Sequence, residues 1–269
     1  MLETVSFEVR AILPCILQGA LMPDDNSVSL ARMVQKLATH SRLTDDDRAV
    51  LLNLPSKVRS FEPGSYMNRD NDHSTQCIVL ISGFAFRHKI SKDGKRQIVS
   101  IHLAGEVINL QSLFLEAMDH NLQALTRCSV VLIPILALRS LIFERPPIYA
   151  AFITSSMVEA SIYREWILNN GRRDARARIA HLLCEFAVRS DALGINHGGI
   201  YNLPMTQEQI GDAVGLTAVH VNRTLKSLSN DGLITQSGRG VTFPDWDRLK
   251  DEAGFNTRYL HMSQSGEPG

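Results

Sequence analysis

The chain has 269 residues, 44% hydrophobic and 21% charged, with 28 Lys and Arg set against 28 Asp and Glu. At about 100–200 residues per domain, that length suggests two domains. A formal net charge of zero excludes a generally basic coat, so any nucleic-acid surface must be a local patch.

The four cysteines, Cys15, Cys77, Cys128 and Cys184, lie far apart and form no CxxC pair. That pattern argues against zinc and thioredoxin-type sites and suits a reducing cytoplasm. The first residues lack the apolar run of a signal peptide, and no stretch approaches the roughly 18 apolar residues of a membrane helix. The expected location is cytoplasmic, with no membrane partner.

Residues 1–27 read as an extension containing a short apolar patch at 11–14. Residues 28–53 look helical: Leu30, Met33 and Leu37 recur on one face, and Thr44 can cap a turn before Asp45-Asp46-Asp47. From about 59 to 145 the texture changes to short apolar or alternating runs at 77–81, 84–87, 98–102 and 128–135. Asp93-Gly94 supplies hairpin-turn chemistry between two of them. Many short strands at close spacing predict a compact antiparallel roll over 28–146.

Pro146-Pro147 closes that region. Residues 148–170 run without Gly or Pro, and Tyr149, Ile153, Ser156, Ala160, Tyr163, Ile167 and Asn170 follow a 4-3 spacing. This is the seam of a two-stranded coiled coil, although the same spacing suits a helix packed on its own domain. The candidate partner-facing residues are Ile153, Ser156, Ala160, Tyr163 and Ile167, on a helix spanning 147–171. Asn170-Gly171 reads as its end. A second helix follows with Ile179, Leu182, Leu183 and Phe186 on one face. Residues 250–269 have the composition of a flexible tail.

The sharpest signal lies at 203–234. Thr206 and Gln209 form a capping box, Ile210, Ala213 and Val214 face inward, and Gly215 takes a sharp turn. Thr217 then caps a helix over 217–229, with Val221, Leu225 and Leu228 toward the core. The pattern is a helix-turn-helix, followed by a two-stranded wing around Ser237-Gly238-Arg239. A helix fits the major groove, and a guanidinium grips guanine O6 and N7 bidentately, so Arg223 is the candidate base reader against the plain reading of a solvated helix-face arginine. Ala218, Val219, His220 and Asn222 share its face. Thr206, Thr217, Lys226 and Arg239 are further DNA-contact candidates, the last three for phosphate. No HExxH, GxSxG, P-loop or dinucleotide fingerprint is present, so the chain is not expected to be an enzyme, and neither catalytic nor metal residues are assigned.

These stretches resemble the family of the cyclic-AMP receptor protein and the fumarate–nitrate reductase regulator (Crp/Fnr) over roughly residues 28–248. The resemblance rests on Gln209-Ile210-Gly211, Val214-Gly215-Leu216-Thr217 and Val221-Asn222-Arg223-Thr224-Leu225, supported by Phe61-Glu62-Pro63-Gly64, Leu80-Ile81-Ser82-Gly83, Gly105-Glu106-Val107-Ile108 and Ser112-Leu113-Phe114. It implies an α+β chain: a double-stranded β-helix (jelly-roll) of cyclic-nucleotide-binding type, a dimerisation helix, and a winged helix-turn-helix at 172–249. Asp174 matches the hinge aspartate, and Arg178-Ile179-Ala180 opens the DNA-binding domain. The resemblance implies a homodimer on a near-palindromic duplex operator, with RNA polymerase as a further partner if the protein activates. Arg223 aligns with the guanine-reading arginine, whereas Val219 replaces a base-contacting glutamate and suits a thymine methyl.

The sensor departs from the family. Asn109 and Leu110 stand where a ribose-binding glutamate is needed, 117–121 lack the phosphate-binding Arg-Ser pair, and Tyr163-Arg164 replace the purine-facing Thr-Ser. Asn109, Leu110, Tyr163 and Arg164 therefore mark an effector pocket in which cyclic AMP is disfavoured, because a buried phosphate without partners is costly. An iron–sulfur cluster is disfavoured too, since the extension carries only Cys15. No cofactor is expected. Haem stays open, and the His73/Cys77 spacing reads as structural. Two readings remain: an effector-free regulator, and one gated by a small molecule in the roll.

Overall fold

The computed structural model describes residues 26–196 and 199–262. The patch at 11–14, Cys15 and residues 263–269 lie outside the described residues. Helix α1 (Asn26–His40) buries Leu30, Met33 and Leu37. Helix α2 (Asp45–Leu52) starts at Thr44, whose hydroxyl accepts from the Asp47 amide while the Asp47 carboxylate accepts from the Thr44 amide. The Thr44 cap is the one the residue types suggested; the return bond to Asp47 completes a capping box.

Seven strands follow: β1 (Lys57–Phe61), β2 (Tyr66–Asn68), β3 (Gln76–Ser82), β4 (Ala85–Ile90), β5 (Arg96–His102), β6 (Asn121–Ala124) and β7 (Cys128–Pro134). They form two antiparallel sheets, β1-β7-β3 and β2-β6-β4-β5. Strand β3 explains its unbroken apolar run. Ile78 and Leu80 face the space between the sheets, while Cys77, Val79 and Ile81 face the layer containing α1, so both faces are buried. The β4–β5 hairpin turns at Ser91–Lys95 with Gly94 at positive φ, as the Asp-Gly pair predicts.

Helix α3 (Ile135–Glu144) leads into α4 (Pro146–Arg172). The two prolines open this helix rather than closing the roll; a proline in the first turn lacks only an N–H that would be unpaired there. Nor does Gly171 end it. The helix runs to Arg172, and the break comes at Asp174, whose carboxylate accepts from the Arg176 and Ala177 amides and starts α5 (Ala175–Ala192). At 27 residues α4 spans roughly 40 Å.

The C-terminal part contains α5, β8 (Tyr201–Asn202), α6 (Gln207–Val214), α7 (Ala218–Asn230), the wing strands β9 (Thr235–Ser237) and β10 (Gly240–Thr242), and α8 (Trp246–Ala253). Strand β8 extends the wing to three strands in the order β8-β10-β9. Residues 250–262 correct the expectation of a tail beginning at 250. Leu249, Ala253, Phe255, Tyr259 and Leu260 are buried, and a 3-10 turn at Arg258–Leu260 packs on α4. Their apolar side chains, beyond the end of the wing, carry the segment back over α5 and α4.

One apolar core spans the C-terminal part and the outer face of the roll: Phe86, Ile98, Ile101 and Leu103 join Ile179, Leu182 and Phe186. The rings of Phe84 and Phe186 lie 5.6 Å apart. No helix of the described residues is long and apolar enough to cross a membrane.

Candidate nucleic-acid interface

The helix pair is built from local signals. The Thr206 hydroxyl accepts from the Gln209 amide at 3.2 Å, and the Gln209 side chain accepts from the Thr206 amide at 2.8 Å. Gly215 ends α6 in the left-handed region, φ 69°. Gly211 has a different reason to be glycine: a Cβ there would stand 2.4 Å from the Leu216 carbonyl oxygen, so the turn packs directly on the helix backbone. Thr217 caps α7 by accepting from the His220 amide.

Helix α7 buries Val221, Thr224, Leu225 and Leu228. Its other side carries Ala218, Val219, Arg223 and Lys226, all exposed, with His220 and Asn222 half-buried between. Val219 is 80% exposed. The Asn222 amide donates to the Gln207 side chain at 3.1 Å, which draws the start of α6, with Thr206, beside the recognition face. Arg239 stands on a separate element, the exposed wing turn.

Among the described residues, no carboxylate pairs with Arg223, Lys226 or Arg239. Three of the four arginines at the domain entry are instead engaged internally. Arg173 bonds Glu165 at 2.7 Å, Arg176 bridges Asp231 and Glu252 at 2.7 and 2.9 Å, and Arg178 donates to the Val214 carbonyl. Only Arg172 is exposed there. The arginines at the domain entry are therefore mostly internal braces.

On α4, Tyr149, Ile153 and Ile167 are exposed, Ile167 by 72%, and Ser156 and Ala160 are half-buried. Met157 and Leu168 join this stripe without having been singled out. Tyr163 and Asn170 turn the other way. The Tyr163 hydroxyl takes a bond from Arg87 at 2.5 Å, and the Asn170 amide donates to the Ala213 carbonyl at 3.1 Å.

Between α1, β5 and α4 lies a cavity of about 70 Å³, room for a handful of waters. Leu110 and Tyr163 line it. Asn109 and Arg164 do not, which corrects their assignment to the pocket. Asn109 is fully buried and ties strands together, accepting from the Ile78 amide at 2.7 Å and donating to the Gln76 carbonyl at 2.9 Å; Arg164 is exposed on the outer face of α4.

Arg87 is the sensor residue that sequence reasoning missed. It is 3% exposed and donates to Glu159 at 2.7 Å and to the Ile108 carbonyl at 2.9 Å. A charged residue in the middle of a buried strand was the available signal. On the cavity wall, burial works against the Glu106 carboxylate, but Lys36 and Arg189 outweigh it and hold its pKa well below the usual range.

The Leu110 side chain carries no hydrogen-bond acceptor, and the Arg87 guanidinium is already held by Glu159, Tyr163 and a carbonyl. The thiols of Cys77 and Cys184 are buried and pushed up to about 12, that of Cys128 to about 11, so all three stay protonated and unreactive. Among the described residues no three His, Cys, Asp or Glu side chains are placed to hold a metal ion.

Comparison with known proteins places both halves. The Crp-like helix-turn-helix domain matches residues 177–252, and the cyclic nucleotide-binding domain matches residues 58–145. The chain is 27% identical to the transcriptional activator protein FnrL of Cereibacter sphaeroides over 214 residues, which is 78% of this chain and 86% of that protein. It is 29% identical to the nitrogen fixation regulation protein FixK of Azorhizobium caulinodans over 195 residues, 71% of this chain and 76% of that one. The structure of FixK2 from Bradyrhizobium japonicum superposes with a TM-score of 0.69 at 25% identity, covering 74% of this chain and 97% of that one. FnrL is a transcriptional activator, and FixK is a regulator of nitrogen fixation. Its roll, long helix and winged helix-turn-helix give the chain the cyclic nucleotide-binding and Crp-like helix-turn-helix domains of a Crp/Fnr-type DNA-binding transcription regulator.

Proposed function

We propose that two copies pair along the exposed stripe of α4, and that the dimer grips a near-two-fold duplex operator in the cytoplasm by placing α7 of each copy in successive major grooves. The observation that carries this reading is the exposed face of α7, with Arg223 and Lys226 free of protein carboxylates. Arg223 reads guanine, Val219 meets a thymine methyl, His220 and Asn222 reach base edges or phosphates, and Thr206, Thr217, Lys226 and Arg239 hold the backbone. RNA polymerase is a partner wherever the regulator activates. Selection from random duplex DNA at stated salt, with no added ligand, tests the reading. A two-fold enriched motif supports it, and no enrichment by a folded dimer overturns the ligand-free form.

The second reading is gating by a small molecule in the cavity beside Tyr163. Its support is the position of that cavity, walled by α1, the roll, α4 and Arg189 of α5, so an occupant would touch every part of the chain that has to move. Cyclic AMP is not that molecule, for want of partners for its ribose and phosphate. No cofactor is needed for the first reading.

A further inference from the structure

The C-terminal part is docked on the roll at two places. At the first, Arg96 of β5 bonds Asp212 of α6 at 2.7 Å, and the Gln97 amide donates to the Ala213 carbonyl at 3.2 Å. At the second, Arg189 of α5 reaches out of its own domain. Its guanidinium donates to Glu185 at 2.9 Å, to Glu106 of the roll at 3.1 Å, and to the Ile101 carbonyl at 2.9 Å. Each carboxylate is shared again. Glu106 also takes Lys36 of α1 and the His102 ring, the latter at 2.8 Å. Glu185 accepts from the Trp166 indole of α4 at 3.0 Å and from the Tyr259 hydroxyl at 2.8 Å. The Glu106, Arg189 and Glu185 side chains are 15%, 13% and 3% exposed.

The apolar part of this joint is non-directional, and two greasy surfaces tolerate a small roll or slide. The charged part is not tolerant. Shifting α5 along the roll would strand a buried carboxylate or guanidinium, and that penalty selects one orientation rather than adding net stability. In a dimer, the docking of each C-terminal part on its own roll and on α4 sets the distance and angle between the two recognition helices. Operator spacing mirrors that geometry.

We propose that Arg189, by bridging Glu106 and Glu185, is a positioning residue that fixes the half-site spacing the dimer accepts. The proposal rests on the two-fold operator reading above. It separates two kinds of specificity in one molecule. The face of α7 reads the bases within a half-site, and a residue remote from DNA reads the gap between half-sites. Each base pair inserted in the spacer moves the second half-site by ~3.4 Å and turns it by about a tenth of a helical turn. A rigid joint cannot follow that change, and a loosened one can.

The test uses the full chain and duplexes carrying two selected half-sites, with the spacer varied one base pair at a time. For the native protein we expect one preferred spacer, its neighbours weaker by about ten-fold or more. In the variant carrying both Glu106→Gln and Arg189→Gln, in which the bridge is absent while Glu185 keeps its Trp166 and Tyr259 donors, the neighbouring spacers should come within about three-fold while base preference inside each half-site stays unchanged. Arg189→Lys keeps the charge but not the fork, and should fall between. It serves as the deciding variant if the double substitution fails to fold. A folded variant as strict about spacing as the native protein overturns the proposal. Failure of the native protein to select any two-fold site overturns the operator reading itself, and with it this one, and is seen before any variant is made.

Discussion

Arg223 carries the sharpest expectation at the scale of a single side chain. Arg223→Ala should weaken operator binding by about 1–3 kcal/mol per half-site and relax discrimination at one base pair. Titration against operators varied at each position checks this, and unchanged affinity and preference would remove Arg223 as a base reader. Gly211→Ala offers a structural counterpart. The added Cβ meets the Leu216 carbonyl oxygen at 2.4 Å, so the turn must open, and a loss of about 1–3 kcal/mol in urea unfolding is expected. A variant as stable as the native chain would mean the helix and turn can separate freely.

Residues acting through neighbours in sequence were legible. Thr206 and Gln209, Thr217, and Gly215 do their work within five residues of themselves, and each has the role its chemistry announces. The partners of Arg87 were not legible, because Glu159 and Tyr163 lie 72 and 76 residues away. Asn109 was misjudged for the same reason: its burial depends on where β3 passes.

At the scale of an element, α4 shows what periodicity gives and withholds. The 4-3 spacing correctly marks an apolar helix, but a straight helix drifts ~20° per heptad from a 3.5-residue seam. Across three heptads of that pattern the exposed stripe moves from Tyr149 and Ile153 to Met157, then to Ile167 and Leu168, while Tyr163 and Asn170 rotate inward to Arg87 and Ala213. The stripe remains the surface proposed for a second copy. Ile153→Asp should therefore give monomers in sedimentation velocity with the fold intact by circular dichroism. A persistent dimer would move the interface elsewhere on the chain.

At the scale of the whole molecule, the joint between the parts was the least legible feature. Strands β1, β2 and β6 are short, and their partners are set by long-range register, so the class of fold could be read but not which face of the roll receives α5. The docked C-terminal segment also creates a pH dependence. His181 of α5 is buried against the Phe255 and Tyr259 rings. Burial, then the nearby Arg173, lower its pKa to about 3. Glu165 lies 3.2 Å from the His181 ring, but that carboxylate is taken by Arg173 at 2.7 Å. Below pH about 6.5 the unfolded chain binds a proton here that the folded chain refuses until about pH 3, so stability should fall as pH is lowered across that window. Melting temperatures from about pH 7 to about pH 4.5 check it against His181→Phe, which should show a shallower decline. Identical declines would place the acid sensitivity in another group.

The return of the chain end onto α5 also sets an order of assembly. Synthesis delivers the roll, then α4, then α5, and domains fold in that order as they emerge. Glu185 meets Trp166 and Arg189 early, but Tyr259 is made 74 residues after Glu185. The joint between sensor and reader is thus completed only after residue 259 has emerged from the ribosome. A nascent chain stalled near residue 250 should carry a protease-resistant roll and a still-cleavable α5.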